Sequence, residues 1–206
     1  FVNFAAFQNT QARIVKAIRF WDLAKTKPNK KNPDPDWTVG VLLWLDNFGK
    51  LWIKDVVYLR DTPEVCGELI YRTALKDGSA TSIGFETEPG GMSGYGLNYL
   101  TQRLNGFNTT VRETTNKSKA NRITNASSFT EKHGVNIIGL SDTGKMLPWV
   151  EFFLGQLLPY PSAGYHDDCV DAYGGAFYSM GLNIENPRQL IYDNYGRRRS
   201  KGLRAF

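Results

Sequence analysis

The chain has 206 residues, of which 41% are hydrophobic and 22% charged, and its formal net charge is +5. This fits one soluble globular domain with a real core. No apolar run approaches the roughly 20 residues that span a bilayer, and two distant cysteines, Cys66 and Cys169, without Cys-x-x-Cys spacing argue against a zinc ribbon or disulfide framework and fit a reducing compartment. The charge is unevenly placed. Residues 181–206 hold Arg188, Arg197, Arg198, Arg199, Lys201 and Arg204 against only Glu185 and Asp193, so the tail is basic and the body nearly neutral. Such a tail either touches nucleic acid or an acidic partner, or is a solvated end.

The opening Phe1–Phe7 is apolar but lacks the basic start of a signal peptide. Residues 14–21 are rich in β-branched and aromatic side chains and predict a buried strand that ends at Asp22. Residues 25–36 form a polar, Pro-rich loop with four lysines, suited to phosphates or simply to solvent. Residues 37–45 and 51–59 predict two further strands joined by the short turn Asp46–Gly49, an antiparallel hairpin. Thr62-Pro63-Glu64 supplies a cap residue, a first-position proline and a first-turn acid, so a helix opens there and closes at Gly78.

A short fourth strand over 82–85 ends at Glu86. The glycine-rich turn 86–94 follows it, then a helix over 95–104 and a strand over 109–112. A helix beginning at Lys117 runs to about Lys132 before Gly134, with Lys119 and Arg122 three apart and able to share a face. A last short strand is expected over 135–138 and a helix over 149–158. The run Gly139–Met146 nearly spells a phosphate-binding loop. Met146 stands where a Ser or Thr should meet Mg²⁺, and Pro148 follows, so the run reads as a turn. A meander followed by strand–helix alternation predicts an α/β fold: a mixed sheet with helices on its faces.

The final helix begins at His166-Asp167-Asp168-Cys169-Val170-Asp171. Asp168 with Asp171, or Asp167 with Asp171, would share a helical face. Helix capping explains one aspartate. Three in five residues repel one another unless a cation sits among them. In the expected sheet the first and fourth strands can lie side by side. Asp22, then Glu86 and Glu88, and the acids of the last helix would meet at one edge. An oxygen-rich pocket of that kind suits Mg²⁺ or Mn²⁺, and two such ions serve phosphodiester cleavage.

These stretches carry a resemblance. Phe20-Trp21-Asp22-Leu23-Ala24, Asp36-Trp37-Thr38-Val39-Gly40, Gly84-Phe85-Glu86-Thr87-Glu88-Pro89-Gly90-Gly91, Lys117-Ser118-Lys119-Ala120-Asn121-Arg122 and His166–Ala172 resemble the C-terminal nuclease domain of tailed-phage terminase large subunits. The likeness covers about residues 15–180. It implies a ribonuclease-H-like fold, with an antiparallel three-strand meander plus parallel strands and helices on both faces. It also implies metal-dependent cleavage of concatemeric double-stranded viral DNA during packaging.

Carried over, Asp22, Glu86 and Asp168 are the catalytic metal ligands. Asp167 assists, Glu88 is the alternate to Glu86, and Asp171 is a further ligand or a structural cap. Lys117, Lys119 and Arg122 would lie near the DNA backbone, and Arg197, Arg198 and Arg199 would help dock DNA or portal. His166 is a carboxylate partner, a DNA contact or a plain loop residue. The resemblance implies a lead-in over 1–14 from an ATPase domain, a nuclease domain over 15–182 and a basic tail over 183–206. Its partners would be that ATPase domain, the portal and the small terminase subunit, in the host cytoplasm. Another ribonuclease-H-like DNA enzyme (transposase, integrase or junction resolvase) and a non-catalytic docking module are the competing readings.

Overall fold

Three strands, β1 (Ile14–Asp22), β2 (Thr38–Asp46) and β3 (Leu51–Leu59), form the expected antiparallel meander. The computed structural model describes the backbone of residues 1–24, 26–87, 94–113 and 116–182, and the side chains of these except at 86–87, 94–98, 112–113 and 116–119. On the other side of β1 lie β4 (Ser82–Thr87) and then β5 (Thr109–Glu113), both parallel to it. A two-residue strand, β6 (Asn136–Ile137), pairs in parallel with β3 at the far edge. The order β5-β4-β1-β2-β3-β6 is the mixed, ribonuclease-H-like sheet that the sequence predicts.

The helices are α1 (Phe4–Asn9), α2 (Pro63–Asp77), α3 (Gly94–Arg103), α4 (Asn116–His133), α5 (Pro148–Leu157) and α6 (Asp168–Met180). They cover both faces, because β1 and β2 bury both faces. Ile18, Phe20, Val39, Val41 and Leu43 pack with Phe129 of α4, Phe153 of α5 and Ala172, Ala176 and Phe177 of α6. Trp21, Ile83 and Phe85 pack oppositely, with Ile70 and Ala74 of α2 and with Leu100 and Leu104 around α3. Each of the Phe, Ile, Leu and Val side chains contributes about 1.5–3 kcal/mol on burial. None of the described helices is long and apolar enough to cross a membrane.

Alternation along β1 also buries a charge. Arg19 is 1% exposed and points to the α2 face. Its guanidinium donates to Asp77 at 2.8 and 3.0 Å, to Asp55 at 2.8 Å and to the Gly40 carbonyl at 3.0 Å. One side chain thus ties β1 to β3 and to the last residue of α2. No sequence motif announced this cluster.

One feature departs from the sequence expectation in detail. The last strand shortens from four residues to two, since Ile138 continues only by donating its N–H to Ile53. Near the amino end, the Phe7 ring of α1 lies 4.9 Å from that of Trp52 and 5.6 Å from that of Trp44. The near phosphate-loop is a turn, as expected: Leu140 bridges Met146, and Gly144 takes a φ of 79° that favours glycine.

Candidate metal centre at the carboxyl ends of two parallel strands

Topology places two of the acidic positions side by side. β1 and β4 run in parallel with Trp21 opposite Phe85, so Asp22 and Glu86 occupy the next register position on neighbouring strands. β1 and β2 run antiparallel with Asp22 opposite Val39, so the end of β1 meets the start of β2 and the residues just before it, Asp36 and Trp37. The backbone N–H of Ala24 bonds the Thr38 hydroxyl at 3.2 Å and fixes that junction.

The start of α6 is brought over this edge by a close approach to β1. A Cβ on Gly175 would lie 2.1 Å from the Phe20 ring, and one on Gly84 would lie 2.5 Å from the same ring. Phe20 is 1% exposed and has nowhere to go. Glycine at both places lets the helix and β4 close on it.

Capping does not account for the acids here. Asp167 stands at the N-cap of α6 without a side-chain cap bond. The N–H of Cys169 instead donates to Oε1 of Gln156, on α5, at 2.8 Å. Asp168 is 3% exposed. Burial, the largest influence, pushes its carboxyl up to about 6, against the N–H of Trp37, which favours the ionised form. Its Oδ2 accepts no hydrogen bond among the described residues. That oxygen faces Nδ1 of His166 at 3.6 Å, and the same nitrogen lies 4.0 Å from Oδ1 of Asp36. One ligand atom from each of Asp36, His166 and Asp168 falls within 4.8 Å of the others. A buried carboxylate oxygen with no donor, beside a second carboxylate and an imidazole, fits a divalent cation.

Asp22 is half-buried at the end of β1. Its carboxylate and that of Asp168, after burial itself, push the Cys169 thiol up. That thiol is fully buried and is no nucleophile. Asp171 is buried in the first turn of α6. Arg122 is 5% exposed. The side chains of Glu86, Lys117 and Lys119, and all of Glu88, Arg197, Arg198 and Arg199, lie outside what the structure describes.

Sequence reasoning missed the next ring of groups. Leu59 pairs with Thr38, which sets Arg60 beside Trp37. The Arg60 guanidinium lies 4.0 Å over the Trp37 ring, forms an ion pair with Asp34, and reaches Nε2 of His166 at 2.7 Å. Asp34 approaches the same Nε2 at 3.0 Å. The signal was present in the hairpin register: an acid before the second strand and a base after the third must flank the end of the first.

No family model matches the chain, and no curated protein matches it. Among solved structures it is similar to the fowlpox virus resolvase in complex with its substrate Holliday junction DNA, with TM-score 0.46, 10% identity, and coverage of 80% of this chain and 97% of that one. It is also similar to RuvC from T. thermophilus in complex with a Holliday junction substrate (TM-score 0.38, 11% identity, 81% and 96% covered). A third is the yeast mitochondrial Holliday junction resolvase Ydc2 (TM-score 0.42, 9% identity, 90% and 90% covered). At such scores the likeness adds nothing to strand order and register, which carry the fold assignment.

Proposed function

We propose that this chain is a divalent-metal-dependent endonuclease that cleaves double-stranded concatemeric viral DNA during genome packaging, as the nuclease part of a terminase large subunit. The observation that carries the chemistry is Asp168. Its Oδ2 is buried without a hydrogen-bond donor among the described residues, in a group with Asp36 and His166. The finer, terminase reading is supported by the motifs at 20–24, 84–91, 117–122 and 166–172.

Asp22, Glu86 and Asp168 would hold Mg²⁺ or Mn²⁺, with Asp167 assisting and Glu88 as the alternate to Glu86. The chemistry that such a cation supplies is Lewis-acid polarisation of a phosphodiester oxygen, and a pair of cations serves both sides of the displacement. The chain's own residues do the rest. The backbone N–H of Trp37 favours the ionised form of Asp168. The Arg60 guanidinium meets His166 at Nε2, 2.7 Å away, and so holds the ring with Nδ1 toward Asp168 and Asp36. Lys117, Lys119 and the tail arginines Arg197, Arg198 and Arg199 would neutralise the DNA backbone, making binding salt-sensitive. The ATPase domain, portal and small terminase subunit are the partners this reading implies, in the host cytoplasm.

The test is plasmid nicking with Mg²⁺ or Mn²⁺, against EDTA and Asp168→Asn, with a four-way junction run alongside. Metal-dependent cleavage of plasmid that disappears in the variant supports the reading. Cleavage confined to the junction moves the chain to a resolvase. Folded protein that neither binds metal nor cuts leaves the docking module.

A further inference from the structure

We propose that Arg60 is a phosphate-binding residue of this centre and that Asp34 occupies its guanidinium until a DNA phosphate replaces it. The idea rests on the nuclease reading for the origin of the phosphate, but on geometry for the site.

Arg60 is held as a receptor is held. Its side chain is 15% exposed, and Trp37 supports one face of the guanidinium at 4.0 Å. The backbone N–H of that same Trp37 favours the ionised form of Asp168. Only the imidazole of His166 separates Arg60 from the Asp168 oxygen, with contacts of 2.7 Å on one side and 3.6 Å on the other. The Nε donor of Arg60 is buried and has no acceptor among the described residues. A planar fork of donors, pre-oriented by stacking, is the geometry that takes a phosphate through two parallel bonds.

Asp34 is a poor permanent partner. Its side chain is 68% exposed, between Pro33 and Pro35, in a loop that also carries exposed Lys27, Lys30 and Lys31. An exposed ion pair contributes little. It is also mismatched. Nε2 of His166 meets both the Arg60 donor and the Asp34 oxygen, at 2.7 and 3.0 Å. A ring whose proton sits on Nδ1 satisfies Arg60 and opposes Asp34; the tautomer with its proton on Nε2 does the reverse. Moving Asp34 away resolves the conflict and frees the guanidinium edge, and the three loop lysines favour an incoming polyanion in its place.

The experiment measures binding of a fluorescent DNA duplex in EDTA, so that no cleavage intervenes. It uses the wild type, Asp34→Asn, Arg60→Gln and the double variant, each checked for a cooperative melt. Asp34→Asn is expected to tighten binding several-fold. Arg60→Gln is expected to weaken it and to lower the log–log salt slope by about one unit. In the double variant the gain from Asp34→Asn disappears. Arg60→Lys, which keeps the charge and loses the fork, stands in if Arg60→Gln does not fold, and it too should cancel most of the gain. An Asp34→Asn variant that binds no more tightly overturns the proposal. So does a gain of equal size with and without Arg60, which would mark plain charge removal. Plasmid nicking lost in Asp168→Asn reports on the nuclease independently: nicking with no coupling of Asp34 to Arg60 sinks the latch alone, and coupling without nicking sinks the nuclease alone.

Discussion

Gln156 on α5 accepts the backbone N–H of Cys169 at 2.8 Å, so α6 is capped by a neighbouring helix and not by the side chain of Asp167. Gln156 is 7% exposed. Gln156→Leu would strand a buried N–H and should cost about 1–3 kcal/mol. Thermal denaturation reads that loss. Calorimetric titration with Mn²⁺ should show weakened binding as well, because the first turn of α6 carries Asp168. An unchanged melting temperature would mean that water replaces the cap.

The Asp168 carboxyl, raised from 3.8 to about 6, makes a signed prediction for the cation-free protein. A raised folded value stabilises fully below the unfolded value and is lost as pH rises through the folded one. Between about pH 4 and pH 6 the group therefore withdraws up to about 3 kcal/mol. Asp168→Asn should melt higher than wild type at pH 7.5 in EDTA and equal to it near pH 4. Added Mn²⁺ should reverse the order at pH 7.5, raising only the wild type. A variant that melts lower at pH 7.5 in EDTA would show that burial does not govern this carboxylate.

Gly175→Ala tests the close approach of α6 to β1. The new Cβ meets a ring that is 1% exposed. Overpacking of this kind costs about 1–3 kcal/mol. The expected signature is a larger effect on metal binding than on stability, since lifting the helix moves Asp168 away from Asp22. Phe20→Leu in the same chain should recover part of the binding; no recovery would place the damage elsewhere.

Arg19→Met should be severe. It leaves Asp77, whose side chain is 5% exposed, as a buried charge without its cation. Breaking such a pair costs about 3–5 kcal/mol, whereas removing both charges is often neutral. Urea denaturation of Arg19→Met beside Arg19→Met/Asp77→Leu should show most of the loss restored in the double variant.

Much of the architecture was legible because it is written in local chemistry. β-branched runs marked β1 to β3, Thr62 and Pro63 opened α2, and acids at strand ends marked the edge where a site belongs. What was not legible depends on contacts between distant residues. Nothing near Gln156 announces that it caps α6, and nothing near Arg19 announces Asp55 and Asp77. Asp36 and Arg60 were half legible. The hairpin register would have placed them beside Asp22, but a Pro-rich loop with four lysines drew attention to its bases and away from its acids.

The amino-terminal segment has a mechanical consequence. Val2 exchanges backbone hydrogen bonds with Ile137 and Leu140, at 2.9 and 3.2 Å, so the first residues are stitched to the β3–β6 edge of the sheet. A pull on the amino end is taken up in shear at that edge, where β6 offers only two paired residues. β1 follows α1 in the chain, so it is next in line once that edge gives. The short edge is thus loaded ahead of the strand that carries Asp22.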